Sequence, residues 1–290
     1  MAGDGKALVL GGGGVTGVAW EIGLLFGLAE HGVDLTDAGL LVGTSAGSVT
    51  AAQLLSGVPL ADLDAAQRAG ATREIAEGLG GLGLLKYAAA ALWPAGRANG
   101  RAWLGRQSVK ATSVSEVERR TVIAQRIGRD EWPATPLRIT AIEALTGELK
   151  VFDRDSGVSL IDAVAASCAV PLVWPAATVN GVRYIDGGVR SVANVDLAAG
   201  CDRVVVIAPI NVGFRRADRP AAQAAALGVP HVVIAPSPEA RARMGRNPLD
   251  PAFRAASAEA GRAQAAQEAE KVRAVWANGN GQGRDDRSAP

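Results

Sequence analysis

The sequence predicts an α/β fold on a mostly parallel central sheet, and three observations carry that expectation. An apolar run, Ala7 to Leu10, passes through four glycines, Gly11 to Gly14, into a stretch whose apolar residues recur at helical spacing. A second run, Gly39 to Val42, enters GTSAGS and then another helical stretch beginning near Ala46. Further along, the unbroken valines of Arg203 to Ile207 read as a buried strand, as does His231 to Ile234, and helical sequence follows each. Strands that feed helices through tight glycine turns form parallel sheets with helices packed on their faces.

Length and composition bound the rest. The 290 residues fit one domain over residues 1–276, followed by a glycine-rich, charged segment, 277–290, too poor in apolar groups to order itself. With 48% hydrophobic and 20% charged residues, the chain can bury a large core. A formal charge of +1 leaves no basic excess for a phosphate backbone, so nucleic acid is excluded as a partner. Cys168 and Cys201 make no disulfide framework, and no Cys/His cluster has metal-ligand spacing, so neither metal nor cofactor is expected. The opening MAGDGKALVLGGGG is too short and glycine-broken for a signal peptide or span. A cytoplasmic protein is expected, touching membrane only at its periphery.

The remaining elements follow from local signals. Gly32 after His31 ends the first helix. Residues 57–124 are helical and form an expected cap insertion, whose apolar piece runs from Gly78 to Gly96. Two readings of that piece stay open. It is a buried helix pair, or it is a mobile cap that offers Leu84, Leu85, Tyr87, Leu92 and Trp93 to an acyl chain or a bilayer. A strand at Leu137 to Ile142 turns at Thr146-Gly147 into Lys150 to Phe152. A helix then stops before Pro171, and a hairpin turns at Asn180-Gly181 so that its second strand delivers Asp186. The last long helix is expected between Pro251 and Trp276.

Two motifs carry chemistry. Gly43-Thr44-Ser45-Ala46-Gly47 matches G-x-S-x-G and lies between a strand and a helix, where a nucleophile elbow belongs. Gly43 and Gly47 leave room for a turn that exposes the Ser45 hydroxyl at a helix N-terminus, where developing negative charge is favoured. The plainer reading is an ordinary turn with Ser45 or Ser48 as a helix cap. The loop Gly12-Gly13-Gly14-Val15-Thr16-Gly17 satisfies G-x-G-x-x-G, so a dinucleotide site competes with an oxyanion hole of backbone N–H donors and with a simple turn. A dinucleotide site wants an acid at the end of the next strand, whereas this strand ends in Gly43 and the serine motif.

A serine hydroxyl needs a base. Of the two histidines, His31 ends the first helix, remote from the strand ends. His231 completes the chain order Ser45, Asp186, His231 of a common triad, yet it stands at the start of a strand, the wrong end for catalysis in an open sheet. Asp186 is the better base, since it ends a strand and is followed by Gly187 and Gly188, which leave space around it. The plainer reading is a turn aspartate. Its function as a base requires desolvation that raises its pKa from the usual 3.9 or so.

Taken in order, these pieces resemble the patatin-like phospholipase family, bacterial members especially. The resemblance covers residue 6 to about 210 through Gly11 to Gly17, Gly43 to Gly47, Ala166-Ser167 with Pro171, and Asp186-Gly187-Gly188. It implies a three-layer α/β/α fold, a Ser-Asp dyad without histidine, and hydrolysis of acyl esters in lipids. Ser45 would be the nucleophile, Asp186 the base, and the N–H groups of Gly12, Gly13 and Gly14 the oxyanion hole, with Gly17, Gly43, Gly47, Gly187 and Gly188 supporting the motifs. One departure is Thr16, where the family often has Arg or Lys. That puts attraction to an anionic headgroup in doubt. Asn194 and Asp196 fall in the family's polar stretch after the aspartate and receive no role. A nucleotide-binding oxidoreductase and a non-catalytic lipid-binding protein stand as the competing classes, while acyl specificity and oligomeric state are beyond the sequence.

Overall fold

A computed structural model describes residues 5–70, 81–108 and 114–277 of the chain. The strands are β1 (Lys6–Leu10), β2 (Leu40–Thr44), β3 (Leu137–Glu143), β4 (Leu149–Phe152), β5 (Ala177–Val179), β6 (Val182–Asp186), β7 (Arg203–Ile207) and β8 (His231–Ile234). They form one eight-stranded sheet in the order β5-β6-β3-β2-β1-β7-β8, with β4 also paired to β3. Strands β3, β2, β1, β7 and β8 are mutually parallel, whereas β4, β5 and β6 enter antiparallel.

The helices are α1 (Gly14–Glu30), α2 (Ala46–Leu54), α3 (Leu60–Ala69), α4 (Gly81–Ala91), α5 (Arg97–Ser108), α6 (Glu116–Ile127), α7 (Leu160–Ser167), α8 (Pro220–Ala226), α9 (Pro238–Met244) and α10 (Arg254–Ala277). Alternation along the strands sends side chains to two separate cores. Leu8, Leu10, Leu41, Val205 and Ile207 meet Trp20, Leu24 and Leu28 of α1 together with Val272 of α10. Ala7, Val9, Val42, Val204 and Val206 face the other way, against Val195 and Ala198 of a short 3-10 turn and Ala224 of α8. The result is the expected three-layer α/β/α arrangement.

Helices α1 and α10 pack backbone to backbone. A glycine inside a helix costs about 1 kcal/mol relative to alanine, but here it permits the crossing. A Cβ at Gly27 would stand 2.6 Å from Ala265 Cβ, and a Cβ at Gly23 or Gly261 would overlap the carbonyl of Ala258 or Trp20.

The strand expectations hold to within two residues, and β2 runs further than expected, up to Thr44 beside the serine. The hairpin does turn at Asn180-Gly181, both with positive φ (50° and 78°), which suits a tight two-residue connection. A short 3-10 turn, Pro251–Phe253, occupies the expected start of the last helix. Within residues 57–124, α3 packs on α1 and α10 and belongs to the body of the fold. Helix α4 exposes Leu82 and Leu85, and Leu92 is exposed just after it, so it is not part of a fully buried pair. Residues 71–80, 109–113 and 278–290, and with them most of the tail expected from 277, lie outside the described residues, as does the Leu84 side chain.

Candidate active site

Ser45 stands at the joint between β2 and α2 with φ 52° and ψ −116°, a conformation that a side-chain-bearing residue adopts only under constraint. The constraint is visible. Its N–H donates to Ser167 Oγ at 2.9 Å, and its carbonyl accepts from Ser48 Oγ at 2.6 Å and Cys168 Sγ at 3.3 Å. The flanking glycines follow from crowding: a Cβ at Gly43 would lie 2.6 Å from Ser48 Cα, and one at Gly47 would overlap the Leu10 carbonyl.

Asp186 reaches the same place from the opposite direction. Thr44, the residue before the serine, pairs with Thr140 on β3, and Asp186 pairs with Ala141 on the other side of that strand. Ser45 and Asp186, 141 positions apart in the chain, thus come to the same end of the strands that flank β3, and both line one cavity. Asp186 is 5% exposed. Burial pushes its carboxyl up from 3.8 to about 6, while the neighbouring Ser45 side chain and the Gly188 N–H, 2.7 Å from Oδ1, hold the rise back. Gly187 is required because a Cβ there would strike Thr140.

The glycine loop passes beside the serine. A Cβ on Gly12 would stand 3.6 Å from Ser45 Cβ, Gly14 has φ 61°, and Gly17 closes the first turn of α1 by donating to the Gly13 carbonyl at 2.8 Å. The loop's N–H groups are not equivalent. Gly11 donates to Ile207 at 2.9 Å and Gly12 to the Val192 carbonyl at 2.6 Å, whereas Gly13 and Gly14 have no acceptor among the described residues. Thr16 turns its backbone N–H (3.1 Å) and its hydroxyl (3.5 Å) to the Pro248 carbonyl.

A cavity of about 890 Å³ opens over Ser45 and Asp186, walled by Val15, Val18, Val49, Tyr87, Val170 and Trp174 among others. The guanidinium of Arg119 lies 3.8 Å from the centre of the Trp174 ring. Of the residues expected in a cap, Tyr87 reaches the cavity and Trp93 stacks on Trp103 at 5.4 Å, while Leu85 and Leu92 face solvent. His231 opens β8 opposite Val204, whereas Ser45 follows the other end of its strand, so no triad assembles. His31 stays at the end of α1.

Sequence reasoning gave Asn194 no role, and the structure places it at the centre of the site's support. It is fully buried, left-handed (φ 49°), and its Nδ2 lies 3.0 Å from Thr44 Oγ1 and 2.8 Å from the Ser191 carbonyl, with Thr140 Oγ1 and the Gly187 carbonyl slightly further away. Its Oδ1 accepts from Arg190, which also forks onto Asp196. Ser167, quoted only as part of a motif, holds the serine's N–H.

Among the described residues no helix is long and apolar enough to cross a membrane. None of the curated proteins is similar enough to the chain to be counted a match. The solved structures to which the chain is similar at low identity include these two. VipD from Legionella pneumophila is 14% identical, with 94% of this chain and 68% of that one covered and a TM-score of 0.47. The type III effector protein ExoU is 15% identical, with 93% and 53% covered and a TM-score of 0.42, so this chain spans about half of that protein. The patatin-like phospholipase family matches residues 8–199, which take in the glycine loop, the serine elbow and the aspartate turn, and the chain belongs to that family.

Proposed function

We propose that the protein is a serine acyl-hydrolase that cleaves acyl esters of lipids, with Ser45 as nucleophile and Asp186 as base. One observation supports the reading above the others: a serine in a strained backbone conformation and a buried aspartate line one cavity, and burial raises the aspartate's pKa to about 6. A carboxylate so placed is ionised at neutral pH yet far more basic than an exposed aspartate, which suits a general base.

In this mechanism Asp186 accepts the hydroxyl proton as Ser45 Oγ attacks the ester carbonyl. The tetrahedral oxyanion is met by the unengaged N–H groups of Gly13 and Gly14, and Ala46 at the start of α2 offers a further one. Gly12, whose N–H is held by Val192, contributes clearance beside the nucleophile. Collapse expels the alcohol, which takes the proton from Asp186, and leaves an acyl-serine. Water attacks that ester with Asp186 again as base and releases the fatty acid. The apolar stretches of the cavity wall suit an acyl chain.

Labelling with a fluorophosphonate, mapped by mass spectrometry, tests the reading together with turnover of a p-nitrophenyl ester. Ser45→Ala should abolish labelling, and Asp186→Asn should lower turnover by a factor on the order of 10³ without unfolding the protein. Labelling elsewhere, or near-normal turnover in either variant, would overturn it.

A further inference from the structure

The mouth of the cavity has a surface that the chemistry alone leaves unexplained. One border is Ile210 to Phe214, where Val212 is 67% and Phe214 54% exposed. The other is α4, which turns Tyr87 and Ala90 to the cavity and carries Leu82 and Leu85, one helical turn apart and 67–70% exposed, on its outer side, with Leu92 exposed just past its end. An ion pair at 2.8 Å ties Asp218, shortly after the first border, to Arg97 at the start of α5, which follows the second.

Single exposed apolar side chains are ordinary on protein surfaces. Here they gather around the opening of an apolar cavity, and cations accompany them. Phe214 is followed by Arg215, Arg216 and Arg219, none of which has an ion-pair partner among the described residues, and the only nearby acid in that segment, Asp218, is occupied by Arg97. Arg246, also on the cavity wall, is exposed and likewise has none. Apolar groups that enter the headgroup boundary, beside arginines that meet lipid phosphates, make up an interfacial anchor. A basic rim is complementary to an anionic leaflet in a way that a neutral or basic partner is not.

We propose that residues 212–219 and the outer face of α4 dock the protein on an anionic lipid bilayer, so that the cavity mouth sits at the interface and acyl chains enter from the leaflet. The proposal rests on the acyl-hydrolase reading for its purpose, but not for its test. The basic loop would then supply the attraction to anionic lipid that Thr16, turned to Pro248, does not.

The test is co-sedimentation of the Ser45→Ala protein with vesicles, since this form binds without consuming lipid. Binding should be strong to vesicles of equimolar phosphatidylcholine and phosphatidylserine, weak to phosphatidylcholine alone, and reduced by salt. Arg216→Glu with Arg219→Glu, and separately Leu82→Ser with Leu85→Ser, should each weaken binding about tenfold or more. The same substitutions in the Ser45 protein should leave turnover of a soluble p-nitrophenyl ester within about twofold. Equal binding to both vesicle types, or unaltered binding by the charge-reversed variant, would overturn the proposal. So would absence of vesicle binding with dimerisation that the leucine substitutions abolish, which would assign the face to a second copy of the chain. A parent protein that binds anionic vesicles but turns over no soluble ester would instead contradict the catalytic reading and leave the docking surface standing.

Discussion

Asn194 Nδ2 lies 3.0 Å from the hydroxyl of Thr44, the residue immediately before Ser45. The same amide is 3.4 Å from the carbonyl of Gly187, the residue immediately after Asp186. One side chain therefore braces the backbone next to both members of the proposed dyad. Asn194→Ala removes one partner each from Thr44, Thr140 and Arg190, which keep the threonine pair and Asp196, so the lost hydrogen bonds cost about 1–3 kcal/mol in all. The expected outcome is a lower midpoint of thermal unfolding and a kcat that falls more than KM rises. Proportional loss of folded protein alone, with kcat per folded molecule intact, would reduce Asn194 to a structural residue.

The base predicts a pH profile. Asp186 must be ionised to accept a proton, so kcat/KM for a soluble ester should rise with pH and level off above a midpoint of about 6. A midpoint near 4 would mean that the carboxylate is solvated in the working enzyme.

The same burial bears on stability, with a definite sign. Between pH 3.8 and about 6 the unfolded carboxyl ionises while the folded one keeps its proton. Stability from this group is therefore present below pH 3.8 and lost as pH rises through about 6. Asp186→Asn should be inactive yet more stable than the parent at pH 7, by about 1–3 kcal/mol, with a flatter stability profile across that window. Denaturant titrations at the two ends of the window measure it.

Glu21 makes a parallel case away from the chemistry. It is fully buried on α1, accepts from Thr50 Oγ1 at 2.6 Å, and burial drives its carboxyl well above the usual range. A raised carboxyl again costs stability as pH climbs past its unfolded value, so Glu21→Gln should raise the unfolding midpoint at neutral pH. Turnover should change little. A destabilised Gln variant would show that the Glu21 carboxyl has a partner that an amide cannot serve.

Within the glycine loop, alanine substitutions should separate chemistry from folding. A Cβ at Gly12 meets nothing closer than 3.5 Å and stands beside Ser45, so Gly12→Ala should fold and lose activity. At Gly13 a Cβ would come within 2.5 Å of Pro209 Cβ, so Gly13→Ala should chiefly lose stability. Circular dichroism melts set against ester turnover distinguish the two.

The serine, its flanking glycines and Asp186 were legible because each sits at a strand end marked by small residues, a local signal. Strands β7 and β8 were legible through their valines. Asn194 was not, since its importance comes from side chains at Thr44 and Thr140 that only the strand pairing brings to it. Nor could the sequence tell that the Gly12 N–H is taken by Val192, because the acceptor lies 180 residues further along. The place of α3 was misread for a similar reason: its partners α1 and α10 come from both extremes of the chain.

That last pairing has a consequence for synthesis. The bidentate pair between Glu30 and Arg262 joins groups 232 residues apart, at the seam where glycines let the first and last long helices touch. A growing chain has its serine elbow early but lacks the helix on which α1 rests until α10 has been made. A chain cut before Arg254 should therefore leave α1 without its support, fail to fold, and show no turnover of a soluble ester.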